Sequence, residues 1–395
     1  MTELTSHTGR VAALGAGGRR PTRIATILPA LVPPGGLERL VLTHAGEYRM
    51  RGLQNDFVFL NEPHDVSALV PAGSRIFNLA VPRLRKAIPS LVKYLRDERP
   101  DAIHAAMWPV TSLALVAHRL ANSKARIVVS DHNPLSLQYA KRGAGHRLLL
   151  RASIAATYRL ADARVAVSKG VAEDLAALSA LPRERFTVIH NPVSSASAEC
   201  SAADIASAEA AWQGWQGKRI ITVGRLKAQK NHALLIRAFQ RLLQSTDARL
   251  MILGVGELGD SIAAQVDAAG LRQKILLPGF VEDPGPYYRS ADQFVLSSDY
   301  EGFGNVLVEA LAWGLPVVST DCPGGPAEIL AGGTYGRLVP VGDEAALAAA
   351  MLDTLSRPVD RMELKRRASD FSPGALTEKY VRLLCPDLLP TESSL

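Results

Sequence analysis

Cysteine is rare in this sequence, in which only Cys200, Cys322 and Cys385 occur among 395 residues. The three are far apart and odd in number, so they lack the spacing of a metal site, and no disulfide framework is expected. A chain that does not depend on disulfides is typical of a reducing compartment. We therefore expect a cytoplasmic location.

Long apolar runs are missing as well. No stretch of about 18 apolar residues occurs, so no membrane-spanning helix is expected. The first twenty residues lack the apolar core of a secretory signal peptide. Aromatic residues make up only 6% of the chain, and no nucleic-acid-binding motif is visible, so nucleic acid is not expected as a partner.

The sequence does have sufficient length, an ordinary globular composition and an uneven charge. Apolar residues make up 47% and charged residues 21% of the chain, and its length suffices for two domains with full cores. Residues 1–195 contain 26 Lys and Arg against 14 Asp and Glu, a net charge of +12, whereas the remainder contains 19 against 24, a net charge of −5. The first half therefore favours an anionic partner, such as a lipid headgroup or a phosphorylated acceptor.

Short apolar strands alternate with helical segments along most of the chain. Strands are predicted at 23–28, 57–60, 75–79, 102–106, 126–130, 163–167, 185–189, 219–223, 249–253, 274–277, 293–296, 316–319 and 337–339. Such alternation predicts parallel sheets covered by helices, with ligands at the carboxyl ends of the strands.

A Ser- and Ala-rich segment interrupts this alternation and predicts two α/β domains with a linker between them. The expected organisation is a flexible basic tail 1–21, an N-terminal Rossmann-like domain 22–193, a linker 194–217 with one helix, a C-terminal Rossmann-like domain 218–371, and a C-terminal helix and tail 372–395 that crosses back to the first domain.

The stretch from Asp299 to Leu311 reads as a loop that turns into a helix near Gly304. Glycines let the backbone approach a ligand closely, and a helix start suits an anion such as a diphosphate. Glu301 lies just before the helix and Glu309 within it, and carboxylates are good acceptors for hydroxyls. Taken singly, each glutamate could equally be a cap or a solvated helix residue.

A second candidate site feature is Gly224-Arg225, followed four residues later by Lys230. Both cations follow a predicted strand and precede a helix for which Asn231 is the expected N-cap. Arg225 can bind phosphate oxygens in a bidentate manner, and Lys230 can act as a point charge. Alone, the two could be ordinary surface cations.

The Glu-x7-Glu pair formed by Glu301 and Glu309, within EGFGNVLVEALAWGLPVVSTDCPGGPAEIL, closely resembles the signature of retaining GT-B glycosyltransferases of family 4, including those of bacterial surface-polysaccharide assembly. The similarity spans roughly residues 23–371 and is strongest over 219–331. It implies a GT-B fold, an α/β arrangement of two Rossmann-like domains whose parallel sheets face each other across a cleft. Gly304 departs from many relatives, which have proline or serine there.

The resemblance also implies roles for individual residues. Arg225 and Lys230 would hold the two phosphates, Glu301 a hydroxyl of the donor sugar and Glu309 the ribose hydroxyls. The remaining residues expected to bind the donor lie beside these or where the family places the nucleobase: Gly224, Phe280, Val281, Gly302, Phe303, Gly304, Asn305 and Val306. No metal or other cofactor is expected, and the chain has no Asp-x-Asp motif of the metal-dependent type.

Residues of the N-terminal half are expected to face the acceptor. The loop with Gly35, Gly36 and Glu38 follows the first strand and is similar to the acceptor-side glycine loop of the family. His132 follows a very apolar strand. It could be a structural histidine, but in related enzymes a histidine at this strand end approaches the donor sugar, so it is included among the catalytic candidates with Arg225, Lys230 and Glu301.

The segment 141–169 is strongly basic and amphipathic. Seven cations face a single acid, Asp162, with apolar residues interleaved among them. These cations are Lys141, Arg142, Arg147, Arg151, Arg159, Arg164 and Lys169. The segment could be the solvated face of a helix covering the sheet, or a surface that rests on anionic lipid at the inner face of the cell membrane.

The function expected is transfer of a sugar from a nucleotide-diphosphate donor, with UDP favoured by family habit, to a saccharide or polyprenyl-linked acceptor. Retention would proceed by front-face attack, since no carboxylate nucleophile is evident. The alternatives are a sugar-nucleotide epimerase on the same fold and a non-catalytic nucleotide-sugar-binding scaffold protein.

Overall fold

The computed structural model describes residues 20–31, 35–81, 86–194 and 200–388. The chain divides into two compact units. Unit 1 comprises residues 1–192 and 373–395, and unit 2 comprises residues 193–372. The predicted basic tail 1–21 lies almost entirely outside the described residues.

Unit 1 is built on a parallel sheet of seven strands. In chain order these are β1 Arg23–Leu28, β2 Gln54–Phe59, β3 Arg75–Asn78, β4 Ala102–Ala106, β5 Arg126–Asp131, β6 Ala163–Ala166 and β7 Thr187–Val188. Their order in the sheet is β3-β2-β1-β4-β5-β6-β7. The strand order reverses between β1 and β4, and ligands of such folds bind beyond the carboxyl ends of the strands at this point.

Helices pack on this sheet and bury its apolar strands. They are α1 Gly36–Met50, α2 Ala87–Glu98, α3 Val110–Ala121, α4 Leu135–Gln138, α5 Ala144–Thr157 and α6 Lys169–Ser179. The chain re-enters unit 1 near its end with a further helix, Pro373–Leu384, which contacts α1, β4 and β5. Tyr380 and Thr377 of this helix are completely buried.

Unit 2 contains a second parallel sheet, of six strands. They are β8 Lys218–Val223, β9 Ala248–Leu253, β10 Ile275–Gly279, β11 Gln293–Leu296, β12 Val317–Thr320 and β13 Arg337–Val339. Their order is β10-β9-β8-β11-β12-β13, so β8 and β11 are the neighbours at which the order reverses. Both sheets that the alternation predicted are therefore present.

The helices of unit 2 are α7 Ala202–Ala211, α8 His232–Leu242, α9 Gly259–Ala268, α10 Gly285–Arg289, α11 Asn305–Ala312, α12 Pro326–Ile329, α13 Glu344–Ser356 and α14 Arg361–Ser369; the helix Pro373–Leu384 of unit 1 is α15. Strongly amphipathic α8 contributes Leu234, Leu235 and Phe239 to the main apolar core of this unit. The Asn231 side chain accepts a hydrogen bond from the Leu234 backbone, so the predicted N-cap is present.

The segment predicted as a linker, 194–217, is described from residue 200 onward and contains α7. Trp212, which follows this helix, is fully buried, and its indole donates a hydrogen bond of 2.8 Å to the Ser290 hydroxyl. Arg249 donates a 2.7 Å hydrogen bond to the Trp212 carbonyl. These contacts attach the segment to unit 2.

Candidate functional site

The loops after β8 and β11 meet at the reversal point of the unit 2 sheet. The backbone N–H of Asp299 donates to the Gln229 carbonyl at 2.8 Å. The Gln229 amide donates to the Tyr300 carbonyl at 2.7 Å, and the Asn231 amide donates to a carboxylate oxygen of Asp299, also at 2.7 Å. Because Gln229 is buried, these bonds hold the two loops at a fixed separation.

This joining of loops brings Lys230 and Glu301 together. Lys230 Nζ lies 2.6 Å from Glu301 Oε1, with side chains only 14% and 8% exposed. The hydroxyl of buried Ser298 donates to the same oxygen at 2.6 Å. Oε1 of Glu301 therefore accepts from two protein donors, and the charge of Lys230 is balanced by a protein carboxylate.

Arg225 lies on the same loop as Lys230 but in a different environment. Its side chain is exposed, and within the described ranges no hydrogen bond or ion pair of its guanidinium is observed. Lys227, two residues further on, is half-buried, and burial, followed by the nearby charge of Lys230, lowers the pKa of its ammonium. The site is thus rich in positive charge, as an anion-binding site requires.

The backbone around Glu301 is packed so closely that one neighbour must be glycine. A Cβ on Gly324, which follows β12, would lie 1.9 Å from the Glu301 carbonyl oxygen. Its φ of +129° is also a conformation that favours glycine. The Glu301 N–H donates to the Pro323 carbonyl at 2.9 Å, so the loops after β11 and β12 form one surface.

Glu309 lies within α11 and is half-buried. The hydroxyl of Tyr288, from α10, donates to Glu309 Oε2 at 2.9 Å. Tyr288 is only 2% exposed, so its ring is fixed and orients the carboxylate. A carboxylate held in this way is suited to accept hydrogen bonds from ligand hydroxyls.

The start of α11 combines a glycine turn with partly accessible backbone. Gly304 precedes the helix with a φ of +102°, which excludes proline at this position. Asn305 and Val306 are half-buried, whereas Gly302 and Phe303 are buried. The Phe303 ring packs against Phe371 with 5.4 Å between centroids, so only its backbone is available for donor binding.

The predicted nucleobase residues follow β10. Phe280 is 49% exposed and Val281 is half-buried. An exposed aromatic ring at the carboxyl end of a strand offers a flat apolar surface, and the neighbouring Gly279 carbonyl accepts from the Gly254 N–H at 2.8 Å. Phe280 and Val281 therefore lie at the same edge of the unit 2 sheet as Arg225 and Glu301.

In unit 1, the predicted acceptor-side glycines follow β1 at the reversal point of that sheet. Gly35 precedes α1 and Gly36 is its first residue. The Glu38 carboxylate folds back over Gly35, since a Cβ there would lie 1.8 Å from Glu38 Oε2. Residues 32–34 of this loop lie outside the described residues.

His132 belongs to a buried polar network of unit 1. The Ser130 hydroxyl lies 2.9 Å from Nε2 of both His104 and His132. A hydroxyl can donate to one ring and accept from another, so Ser130 links the two histidines. Burial, followed by the nearby His104, lowers the pKa of His132 to about 3, although a hydrogen bond with Asn191 opposes the shift. His132 is therefore neutral near pH 7.

Asp131, next to His132, is a buried carboxyl that sequence reasoning did not single out. It accepts from the Trp108 N–H at 2.9 Å and from the Tyr158 hydroxyl. Burial raises its pKa to about 6, while the hydrogen bond from Tyr158 opposes the shift. A small pocket lined by Trp108, Asp131, His132 and Asn133 lies here, at the carboxyl end of β5.

Several residues that shape the donor-side loops were missed by the sequence analysis: Lys227, Gln229, Ser298 and Tyr288. Lys227, Gln229 and Ser298 lie in polar loops after predicted strands. This position was the one signal in the sequence that could have identified them as site residues. In the part of the chain that the structure describes, no group of three His, Cys, Asp or Glu side chains is arranged to hold a metal ion. No helix among the described residues is long and apolar enough to cross a membrane.

The predicted basic surface of 141–169 is only partly correct. Arg147 and Arg151 of α5 are exposed, and so are Leu148 (69%) and Leu149 (60%). Arg164, however, is 3% exposed, because it lies on β6 and its side chain folds back to donate to the carbonyls of Tyr158 and Ala161, which precede the strand. It does not belong to the surface.

Sequence comparisons identify two glycosyltransferase regions in the chain. Residues 34–196 match the model for glycosyltransferase family 4, and residues 217–357 match the model for glycosyl transferases group 1. An N-acetylgalactosamine-N,N'-diacetylbacillosaminyl-diphospho-undecaprenol 4-alpha-N-acetylgalactosaminyltransferase from Campylobacter jejuni is 29% identical over 94% of this chain and 97% of its own. The lipopolysaccharide 1,6-galactosyltransferase of Escherichia coli is 25% identical over 83% and 88%.

Solved structures show the same fold. Anabaena Alr3699/HepE in complex with UDP matches 92% of this chain and 100% of its own, with a TM-score of 0.76 and 20% identity. The apo form of the lipopolysaccharide outer core galactosyltransferase WaaB matches with a TM-score of 0.72 and 19% identity, over 92% and 99%. These structures show that the fold is the GT-B fold that the sequence predicted. The matches to the two glycosyltransferase models and to the named relatives show that the chain is a glycosyltransferase.

Proposed function

We propose that this GT-B glycosyltransferase is a retaining enzyme of family 4 that transfers a sugar from a nucleotide diphosphate, favoured to be UDP, to a saccharide or lipid-linked saccharide. One observation carries the proposal. Hydrogen bonds between the loops after β8 and β11 bring Lys230 within 2.6 Å of Glu301. Lys230 lies on the same loop as Arg225.

Each donor-side residue then has a role that its surroundings support. Arg225 and Lys230 bind the diphosphate, whose charge grows as the glycosidic bond breaks, so that fixed cations stabilise the transition state. Glu301 accepts a hydrogen bond from a hydroxyl of the donor sugar through Oε2. Glu309, oriented by Tyr288, accepts from the ribose. Gly224 and the backbone of residues 302–306 contact sugar and phosphate, and Phe280 and Val281 contact the base.

The reaction proposed is a front-face displacement without a metal ion. The acceptor hydroxyl attacks the anomeric carbon on the face from which the diphosphate departs, and a phosphate oxygen of the leaving group takes its proton. His132 is neutral near pH 7, because burial lowers its pKa to about 3. It would therefore contribute a hydrogen bond and not a positive charge.

The acceptor is proposed to be linked to a lipid, and the acceptor-side loop is proposed to include Gly35, Gly36 and Glu38. The Campylobacter relative is named for a diphospho-undecaprenol substrate, and unit 1 exposes cations and leucines side by side on α5. A basic amphipathic helix of this kind binds the interface of anionic membranes. We propose that the protein is cytoplasmic and associates with the inner face of the membrane through α5.

Thermal unfolding of the protein with a panel of nucleoside diphosphates and nucleotide sugars tests the donor assignment, since a ligand of the folded state raises the unfolding temperature. UDP and one UDP-sugar are expected to raise it, and uridine much less. A rise in the unfolding temperature with GDP alone would show that the base is guanine and not uracil. No rise with any nucleotide would contradict the proposal, and release of an epimerised donor in the absence of acceptor would favour an epimerase.

A further inference from the structure

We propose that Lys227 is a third cation of the donor site, and that Lys227 and Arg225 supply the positive charge for the diphosphate, since neither forms an ion pair with a carboxylate of the described residues. This inference rests on the proposed function, because it concerns the same site. Family resemblance assigned the phosphates to Arg225 and Lys230 and gave no role to Lys227.

A tight backbone turn brings Lys227 and Arg225 close together. Leu226, between them, is 6% exposed and belongs to the apolar core of unit 2. Its N–H donates to the Val255 carbonyl at 3.0 Å, and its carbonyl accepts from the Leu258 N–H at 2.9 Å. Lys227 is extended, with φ −133° and ψ 161°. The Lys227 N–H also donates to the Arg225 carbonyl at 2.9 Å. The chain therefore makes a three-residue turn around buried Leu226, which brings Arg225 and Lys227 close together.

The backbone of the loop beside Lys227 is held in place by its neighbours. A Cβ built on Gly256 would lie 2.4 Å from the Leu226 carbonyl oxygen, so the segment after β9 is in direct contact with this loop. The side chain of Leu226 is also buried, which holds the loop against the core. The backbone immediately before Lys227 is therefore held in place by the contacts of Leu226 with the core and with the segment after β9.

The charges of the site favour a role for Lys227. Lys230 is paired with Glu301 at 2.6 Å, so this pair contributes no net charge. For Arg225 and Lys227, the described residues provide no side-chain hydrogen bond or ion pair, and Glu257, the remaining carboxylate that acts on Lys227, is exposed. A nucleotide-diphosphate sugar carries one ionised oxygen on each of its two phosphates. Arg225 and Lys227 match this charge.

The unliganded site is also electrostatically unfavourable for Lys227. Its side chain is half-buried, and burial and the charges of Lys230 and Arg225 lower its pKa, while Glu301 and Glu257 oppose the shift. A bound dianion would reverse both effects, because it supplies opposite charge at close range.

The test is calorimetric titration of Lys227→Met with UDP and with uridine. The matched control is Lys218→Met, which removes an exposed lysine at the start of β8, the strand that precedes the loop with Lys227. We expect UDP affinity of Lys227→Met to fall about tenfold, equivalent to about 1.4 kcal/mol, with uridine affinity unchanged and Lys218→Met like the wild type. Lys227→Arg keeps the charge and is expected to retain most of the UDP affinity.

The outcomes separate this inference from the proposed function. A wild type that binds neither UDP nor any other nucleoside diphosphate overturns the function, and the inference with it. A wild type that binds UDP while Lys227→Met binds it equally well overturns the inference alone. Equal losses for UDP and uridine would also overturn it, because they would assign Lys227 to the nucleoside. Should Lys227→Met unfold, the same titrations with Lys227→Gln decide.

Discussion

The ammonium of Lys230 lies 2.6 Å from Glu301 Oε1, and the two side chains are 14% and 8% exposed. Glu301→Gln would remove the carboxylate that is paired with a largely buried cation, so we expect the free energy of unfolding to fall by roughly 1–3 kcal/mol. Urea titration of the two proteins measures this loss.

A double-mutant cycle completes that experiment. Lys230→Met combined with Glu301→Gln is expected to be less destabilised than the sum of the single variants, because the pair is removed as a unit. Glu344→Gln, which breaks exposed pairs with Arg237 and Arg241 on α8, is a suitable control and is expected to have a smaller effect. Strictly additive losses would show that Lys230 and Glu301 do not interact.

Arg225→Ala is expected to abolish activity without loss of stability. The guanidinium is exposed, so its removal leaves no buried group unsatisfied. If it stabilises the departing diphosphate, kcat/KM should fall by about 100-fold or more, as for other groups aimed at developing charge. Steady-state kinetics and thermal unfolding together check this. Near-normal turnover would remove Arg225 from the phosphate site.

Tyr288→Phe tests the orientation of Glu309. The variant loses the 2.9 Å hydrogen bond to Oε2, while the buried ring remains in place. Since the ribose contact is made equally in ground and transition states, we expect KM for the donor to rise about three- to tenfold with kcat little changed. A fall in kcat at constant KM would instead indicate a role in the chemical step.

The stability of unit 1 is expected to depend on pH through its buried histidines. Burial lowers the pKa of His104 from 6.5 to about 4, and burial and the neighbouring rings lower that of His44 as well. The unfolded chain takes up protons below pH 6.5, but the folded rings do not until about pH 4. Their stabilising contribution is thus present above pH 6.5 and lost as the pH falls towards 4.

Thermal unfolding between pH 4.5 and 8 measures this dependence. For His104 alone the loss should reach roughly 2 kcal/mol at pH 5. His104→Gln should lose less stability on acidification than the wild type, and His64→Gln, at an exposed position, should not differ from it. A His104→Gln variant with an unchanged pH profile would contradict the explanation.

Membrane association is expected to depend on α5. Each exposed cation near an anionic surface contributes about 1 kcal/mol, and Leu148 and Leu149 add apolar area. Flotation with phosphatidylglycerol vesicles should show binding at low salt that weakens at high salt, and Arg147→Glu with Arg151→Glu should abolish it. Arg366→Glu, exposed on α14, is the control. If the wild-type protein does not bind these vesicles, a soluble acceptor would be favoured.

Strands and caps were predictable because their signals are local. The strand at 293–296 and the one at 337–339 appear with the predicted bounds, since short apolar runs are delimited by turn residues. The strand expected at 185–189 is reduced to two residues at the edge of its sheet. Helices α9 and α12 were not predicted, because one follows a glycine-rich turn and the other spans only four residues.

The side-chain contacts of the site could not be predicted, because they join distant parts of the sequence. Gln229 contacts Tyr300, 71 positions away, and Tyr288 reaches Glu309 across 21 positions. Nothing local to Lys230 indicates that its charge is already paired. Arg164 was wrongly included in the predicted basic surface. Counting the cations of a segment does not show which of them lie on the buried side of a strand.

The return of α15 to unit 1 affects how the protein can be dissected. His44 and Thr377 are hydrogen-bonded across 333 positions, and the Arg126 guanidinium donates to the Leu383 carbonyl at 2.5 Å. A fragment cut after residue 192 would expose the apolar surface that this helix covers. A recombinant first half would therefore need residues 373–388 spliced onto it through a short artificial tether before it could fold.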